Sequence, residues 1–269
     1  MICAVLGYTR QAYYKQEVMH KNQEKVKKRI TMMVCQQRKM LPKVGGKKLY
    51  LLIKENLCRA DIKCGRDKLF TVLRENDLLI TPRKRYIQTT MSKHWMRKYP
   101  NLVKGQQATA PEHIWVSDIT YIATEEGYCY LSLVTDAYSR KIMGYNVSDS
   151  LDAEQSRKAL QMALRNRILK TPLIHHSDRG LQYCSKEYVE LAEKNNMCMS
   201  MTEHSDPYEN ALAERMNRTL KEEFALGTIL PTKRDAASVV REAVELYNTY
   251  RPHFALNGLT PQCVHEKPR

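Results

Sequence analysis

The sequence predicts an α/β domain, a mixed five-stranded sheet flanked by helices, preceded by a small all-α region. Residues 1–110 carry 25 lysines and arginines against 7 acidic residues, whereas residues 111–269 carry 19 against 22. The chain therefore changes character near Pro111. Before that point apolar residues recur at helical spacing, and after it short alternating or continuous apolar runs interleave with helical ones. Strands followed by strand and helix units of this kind build a sheet with helices on its faces.

Each element follows in order. Thr9 is placed to cap a short helix carrying Arg10, Gln11 and Lys15, which reads as the second half of a helix-turn-helix cut short at its front. Residues 20–40 form a separate basic helix candidate. Gly45-Gly46 opens KKLYLLIKENL, with Leu49, Leu52, Ile53 and Leu57 at helical spacing, and Gly65 opens RDKLFTVLRENDLL. Two short amphipathic helices across a polar turn suit a helix-turn-helix whose second helix offers Arg66, Lys68 and Arg74 to a DNA groove. Residues 1–80 are thus expected to bind DNA. Residues 81–110 lose periodicity, hold Arg83, Lys84 and Arg85 in a basic run, and read as a basic linker that orders on DNA.

From Pro111, HIWVSDITYIAT, YCYLSLVTDAY and KIMGYNVSD read as an antiparallel meander. A helix over about 152–169, with Ile168 on its apolar side, is followed by a strand ending at His176 and a helix near 186–195. The short strand MCMSM and a long helix from about 207 to 226 complete the core, where Asp206, Pro207 and Glu209 read as N-cap, first helical position and capping-box partner. Residues 111–269 are expected to be one unit. Met197, Met199 and Met201 alternate as a buried strand face does. Tyr247, Asn248, Arg251, Pro252 and His253 fit either packing of the last helix or contact with DNA.

The composition also excludes classes. The eight cysteines contain no C-x-x-C pair, so neither a zinc ribbon nor a disulfide framework is suggested. No apolar run approaches the roughly 18 residues of a membrane span, and neither a signal peptide nor an anchor is expected. Reduced thiols in a cytoplasmic protein follow. The excess of cationic charge in the first 110 residues points to a polyanion partner bound through release of counterions.

Three acids stand out by position. Asp118 interrupts an otherwise apolar strand, where an ionised carboxylate is costly unless paired or bound to a metal. Asp178 follows a strand of the same sheet, at the end where open α/β folds place their functional crevice. Glu214 lies on the long helix, with Asn210, Asn217, Arg218 and Lys221 within about 60° of it at 100° per residue. Carboxylates converging from two strands and a helix suit a hard divalent ion, and two such ions support phosphodiester displacement. The competing roles are turn residue for Asp178, an alternative first acid in Asp136, and Asp206 or Glu209 in place of Glu214. His175 and His176 precede Asp178 and are read as supporting the acids or touching phosphate, since a metal site needs no histidine base.

WVSDITYI, LSLVTDAYSRKIMGYNVSD, LIHHSDRGLQYCS, DPYENALAERMNRTLKEEF and YNTYRPHFALNGLTP resemble, in order, the OrfB subunit of insertion-sequence-three family transposases, whose core is similar to retroviral integrase. The 35 residues between Asp178 and Glu214 match the interval of that family's DDE triad. The resemblance implies an RNase H-like fold with Asp118, Asp178 and Glu214 as ligands of Mg²⁺ or Mn²⁺, two ions per site. It implies that Lys221 meets the transposon end, and Arg218 on the same face is expected to bind DNA as well. The function implied is cleavage at element ends followed by strand transfer, in a bacterial enzyme that binds terminal inverted repeats and target DNA. A companion OrfA protein, joined in some members by frameshifting, and a homo-oligomer on DNA are implied as well. Zinc is not expected, because the retroviral His-His-Cys-Cys module has no counterpart in the first 93 residues, which hold only His20. A silent DNA-binding relic and an RNase H-type nuclease without strand transfer are the alternative readings.

Overall fold

The computed structural model describes residues 9–80, 95–169, 171–203 and 210–266. The chain divides into two compact units, Met1–Thr81 and Pro82–Arg269. Arg83, Lys84, Arg85, Asp206, Pro207 and Glu209 lie outside the described residues.

In the first unit, α1 (Arg10–Met40) runs as one helix of 31 residues. Thr9 caps it as expected, its Oγ1 accepting from the Ala12 N–H at 3.1 Å. The break expected between residues 15 and 20 is absent, because KQEVMH contains no glycine, proline or capping residue to stop the first helix. α2 (Gly46–Arg59) and α3 (Arg66–Glu75) pack against the second half of α1 through Ile30, Val34, Leu49, Ile53, Leu69 and Leu73, all fully buried. Arg38 ties the unit together by donating to the Leu78 carbonyl at 2.6 Å. Arg66, Lys68 and Arg74 are exposed on α3, on the side away from these apolar contacts.

The second unit holds β1 (Ile114–Thr124), β2 (Gly127–Asp136), β3 (Ile142–Ser148), α4 (Ala153–Arg165), β4 (Leu173–Ser177), the four-residue α5 (Leu181–Cys184), α6 (Lys186–Lys194), β5 (Met197–Met201), α7 (Ala211–Glu223), α8 (Lys233–Thr249) and α9 (Pro261–Glu266). The sheet order is β3-β2-β1-β4-β5. β1, β2 and β3 form the expected antiparallel meander, and β4 and β5 join in parallel. One face of the sheet is covered by α4 and α6 over Trp115, Met143, Leu160, Tyr188, Met199 and Met201. The alternating methionines of β5 thus pack into the core. α4 ends at Arg165, earlier than its apolar spacing suggested, and Ile168 is exposed; the Ile168 and Leu169 N–H groups instead donate to the buried Glu112 carboxylate.

One further departure has a local cause, and one open alternative is decided. Residues 95–110 were expected to be a linker, but Met96 and Tyr99 pack on the core and the Leu102 N–H donates to the Ser200 hydroxyl at 2.9 Å. Apolar side chains outweigh the basic ones here. At the other end, Asn248 forms a two-way amide pair with the backbone of Ile142 at 2.9 and 3.0 Å, and Arg251 makes a bidentate, buried ion pair with Glu223 at 2.7 and 2.8 Å. The Tyr247 to His253 run therefore packs α8 onto β3 and α7.

Gly144 on β3 lets α4 approach closely. A Cβ there would meet the Ala159 carbonyl oxygen at 2.2 Å and the Ala163 nitrogen at 2.5 Å, both backbone atoms that cannot swing aside. Gly144→Ala is expected to destabilise the protein by about 2 kcal/mol or more. Urea unfolding checks this, and a variant as stable as the wild type would show that the helix can shift.

Candidate active site

The site forms where the strand order reverses, between β1 and β4. Ile114 pairs with Ile174, Trp115 with His175 and Val116 with His176, a constant offset of 60 residues. Continued two residues further, that offset sets Asp118 level with Asp178, just past the end of β4. Two neighbouring parallel strands therefore deliver two aspartates to one height. Glu214 is exposed on the first turn of α7, which packs along β1.

Asp118 is the constrained member. Its Oδ1 accepts from the Ile119 N–H at 2.9 Å and its Oδ2 from the Asn217 amide at 2.7 Å. Burial pushes its carboxyl up to about 7, and the charges of Asp178 and Glu214 add to the rise against the pull of those two hydrogen bonds. Burial also raises Glu214. The three acids are electrostatically coupled. They are not drawn into a cage, for among the described residues no group of three histidine, cysteine, aspartate or glutamate side chains is placed to hold an ion.

Asp178 is held by its own turn. Its Oδ1 accepts from the Gly180 N–H at 3.0 Å. Gly180 has φ −65°, so its value is not a left-handed backbone but space: a Cβ would lie 3.0 Å from Asp178 Oδ1 and from Gln182 Oε1. Asp136, the alternative first acid, is wholly buried and accepts from the Glu112 N–H and from the Ser139 N–H and hydroxyl. It anchors the β2–β3 turn.

Asn210 and Asn217 depart from the expected face of α7. Rather than standing out with Glu214, both are buried, Asn217 against Asp118 and Asn210 donating to the Ser117 carbonyl at 3.2 Å. Their Oδ1 atoms are buried without a hydrogen-bond partner. Sequence reasoning placed Asn217 on the exposed side with Glu214 and gave it no role, although its position three residues after Glu214 was the available signal.

The histidines are buried too. His175 Nε2 lies 2.9 Å from both the Ser117 and Tyr188 hydroxyls, and burial lowers its ring to about 3, so it is neutral at ordinary pH. His176 Nδ1 lies 2.9 Å from the Ser200 hydroxyl. Both rings are closed off from solvent. They lock β4 to β1, α6 and β5 under the aspartates. On the open side, Lys221 Nζ sits 3.9 Å from the centre of the Tyr121 ring, lowered by burial and partly restored by Asp118. Arg218 pairs with Glu222 at 3.1 Å on the exposed side of α7.

A mixed sheet in this order, flanked by helices, gives the chain an RNase H-like fold. The integrase core domain family matches residues 108–207, and a second integrase core family matches residues 195–261. The insertion element IS600 31 kDa protein of Shigella sonnei is 34% identical over 99% of this chain and 98% of its own length. The transposase InsF of insertion sequence IS3A from Escherichia coli is 32% identical over 72% of this chain and 68% of its own. A simian T-cell lymphotropic virus intasome in complex with the PP2A regulatory subunit B56 gamma shares the fold, with TM-score 0.53 at 18% identity over 84% of this chain and 72% of that one. The chain belongs to the insertion-sequence-three family of transposases. Its function is DNA transposition and integration, and its substrate is DNA. Among the described residues no helix is long and apolar enough to cross a membrane.

Proposed function

We propose that Asp118, Asp178 and Glu214 are the catalytic carboxylates of this transposase, and that they bind Mg²⁺ or Mn²⁺, two ions per site. The observation that carries this is Asp118, a half-buried carboxyl two residues past the Val116–His176 pair and pushed up to about 7 beside two other acids. The donors of this cluster are oxygen atoms alone, which suits a hard divalent cation. Bound there, the ions would activate the attacking oxygen and stabilise the leaving oxygen of an in-line phosphodiester displacement.

The chain's own groups set the geometry. The Gly180 N–H orients Asp178, and Asn217 with the Ile119 N–H orients Asp118. Asn217 uses one lone pair of Asp118 Oδ2, and the second remains for an ion. Lys221 and Arg218 flank Glu214 and would hold the phosphates of an element end, while Arg66, Lys68, Arg74 and the basic run at Arg83, Lys84 and Arg85 would add further DNA contacts. We assign residues 1–80 to DNA binding and 111–269 to catalysis. We also infer that the protein works in the bacterial cytoplasm with a companion OrfA protein, as a homo-oligomer on DNA.

A labelled duplex of the element's terminal inverted repeat, incubated with Mg²⁺ or Mn²⁺ and the companion protein, tests the reading. Cleavage at the end followed by joined products is expected. Nicked products without joined ones would favour a plain nuclease, and no cleavage at all a silent relic.

A further inference from the structure

We propose that Tyr121 and Tyr128, beside Lys221, form a shelf that stacks an unpaired nucleobase of the DNA strand entering the active site. The inference rests on the catalytic reading above, and it assigns a positioning role to two residues outside the carboxylate cluster.

β4 stops at Ser177, so among the described residues no strand pairs with β1 on that side between Asp118 and Ile122, and further along the Leu230 backbone bonds to Ala123 and Glu125. Tyr121 lies three residues further along, about 10 Å, and Tyr128 faces Ala123, about 17 Å from Asp118 at the usual rise per residue. The register, Tyr121 with Tyr130 and Ala123 with Tyr128, makes Tyr121 and Tyr128 diagonal neighbours on one sheet face. Asp118 has the opposite parity. Lys221 bridges the two sides of this unpaired stretch, for its ammonium feels the Asp118 charge while resting over the Tyr121 ring.

The rings are arranged for a ligand rather than for a core. They meet edge to face, with centroids 5.5 Å apart and planes at 88°, and Tyr128 is 56% exposed at the β1–β2 hairpin. One face of Tyr121 is taken by the cation, so the free surface is that of Tyr128. A partly buried ammonium beside an exposed aromatic face matches a nucleotide, with phosphate at Lys221 and base on Tyr128. Stacking is tolerant of sequence, since every base has a π-face. A protein partner would want an apolar patch here, whereas Lys221 and the nearby acids make the neighbourhood charged.

The test uses the full chain and single-stranded oligonucleotides carrying 2-aminopurine near the 3′ end, in EDTA so that no chemistry is required. Saturating wild-type protein is expected to quench the probe, and Tyr128→Leu to lose roughly half of that quenching or more because the stacking face is gone. Tyr128→Trp should restore it, and Tyr121→Phe should retain it. Lys221→Gln should keep stacking but lower the salt dependence of binding by about one phosphate contact. Quenching by Tyr128→Leu equal to the wild type overturns the shelf, as does a Tyr128→Trp variant that fails to restore it while melting at the wild-type temperature. Asp178→Asn should leave quenching unchanged. If that variant still cleaves DNA, the carboxylate assignment fails while the shelf is judged separately on its own signal.

Discussion

Asp118→Asn and Asp178→Asn are each expected to lower end cleavage and strand transfer by about a thousandfold or more while leaving DNA binding within about twofold. The size follows from what the carboxylates would hold. Divalent cations contribute several kcal/mol of transition-state stabilisation, and each 1.36 kcal/mol is a factor of ten in rate. An amide in place of either aspartate removes a full negative charge from a site whose acids already feel one another, so ion affinity falls together with catalysis. Glu214→Gln should behave similarly. Binding should survive because the exposed cations of α3 and of α7 are untouched. Single-turnover assays on a labelled element end, with mobility shifts on the same duplex, separate the two effects. Cleavage surviving in Asp178→Asn would remove the triad from the mechanism, and joint loss of binding and cleavage would point to a structural role.

The meander and the two later strands were legible because they carry short apolar patterns broken by turns, and Asp118 stood out as an acid within one of them. The register that sets Asp118 level with Asp178 was not legible, since pairing offsets depend on how far the chain between the strands folds back. His175 was ambiguous for a related reason: its partners, the Ser117 and Tyr188 hydroxyls, come from β1 and α6, and only their convergence makes it a neutral buried hydrogen-bond post. Asn217 shows the same limit on a helix. Periodicity gives the face of a residue but not what that face meets, and Asn217 meets Asp118. The continuity of α1 was legible in principle, as nothing between residues 15 and 20 could stop a helix. Packing of residues 95–110 was not, because basic side chains there hide Met96 and Tyr99, which bind the core.

The coupling of the acids makes a second large effect, this time on stability. Without metal, the folded protein holds a proton on Asp118 up to about pH 7, whereas an unfolded aspartate releases it near its ordinary value of 3.8. Between those values the folded state binds more protons than the unfolded one, so the contribution of Asp118 to stability falls as pH rises. Below about pH 4 the full contribution is present, and above about pH 7 it has been lost. At 1.36 kcal/mol per pKa unit the loss reaches about 4 kcal/mol, an upper figure because the carboxyl keeps some contact with solvent. Asp118→Asn removes the titration while keeping an oxygen for the Ile119 N–H or the Asn217 amide. In EDTA the variant is therefore expected to be more stable than the wild type at pH 8, by about 2–4 kcal/mol, and equal to it near pH 4. Adding Mg²⁺ or Mn²⁺ at pH 8 should stabilise the wild type and leave the variant where it was, because an ion that binds only the folded state raises stability by mass action. Urea unfolding at the two pH values, with and without metal, reads all four quantities. A variant less stable than the wild type at pH 8 in EDTA would mean that the Asp118 charge is already balanced within the protein, and the case for a cation at that position would lose its electrostatic ground.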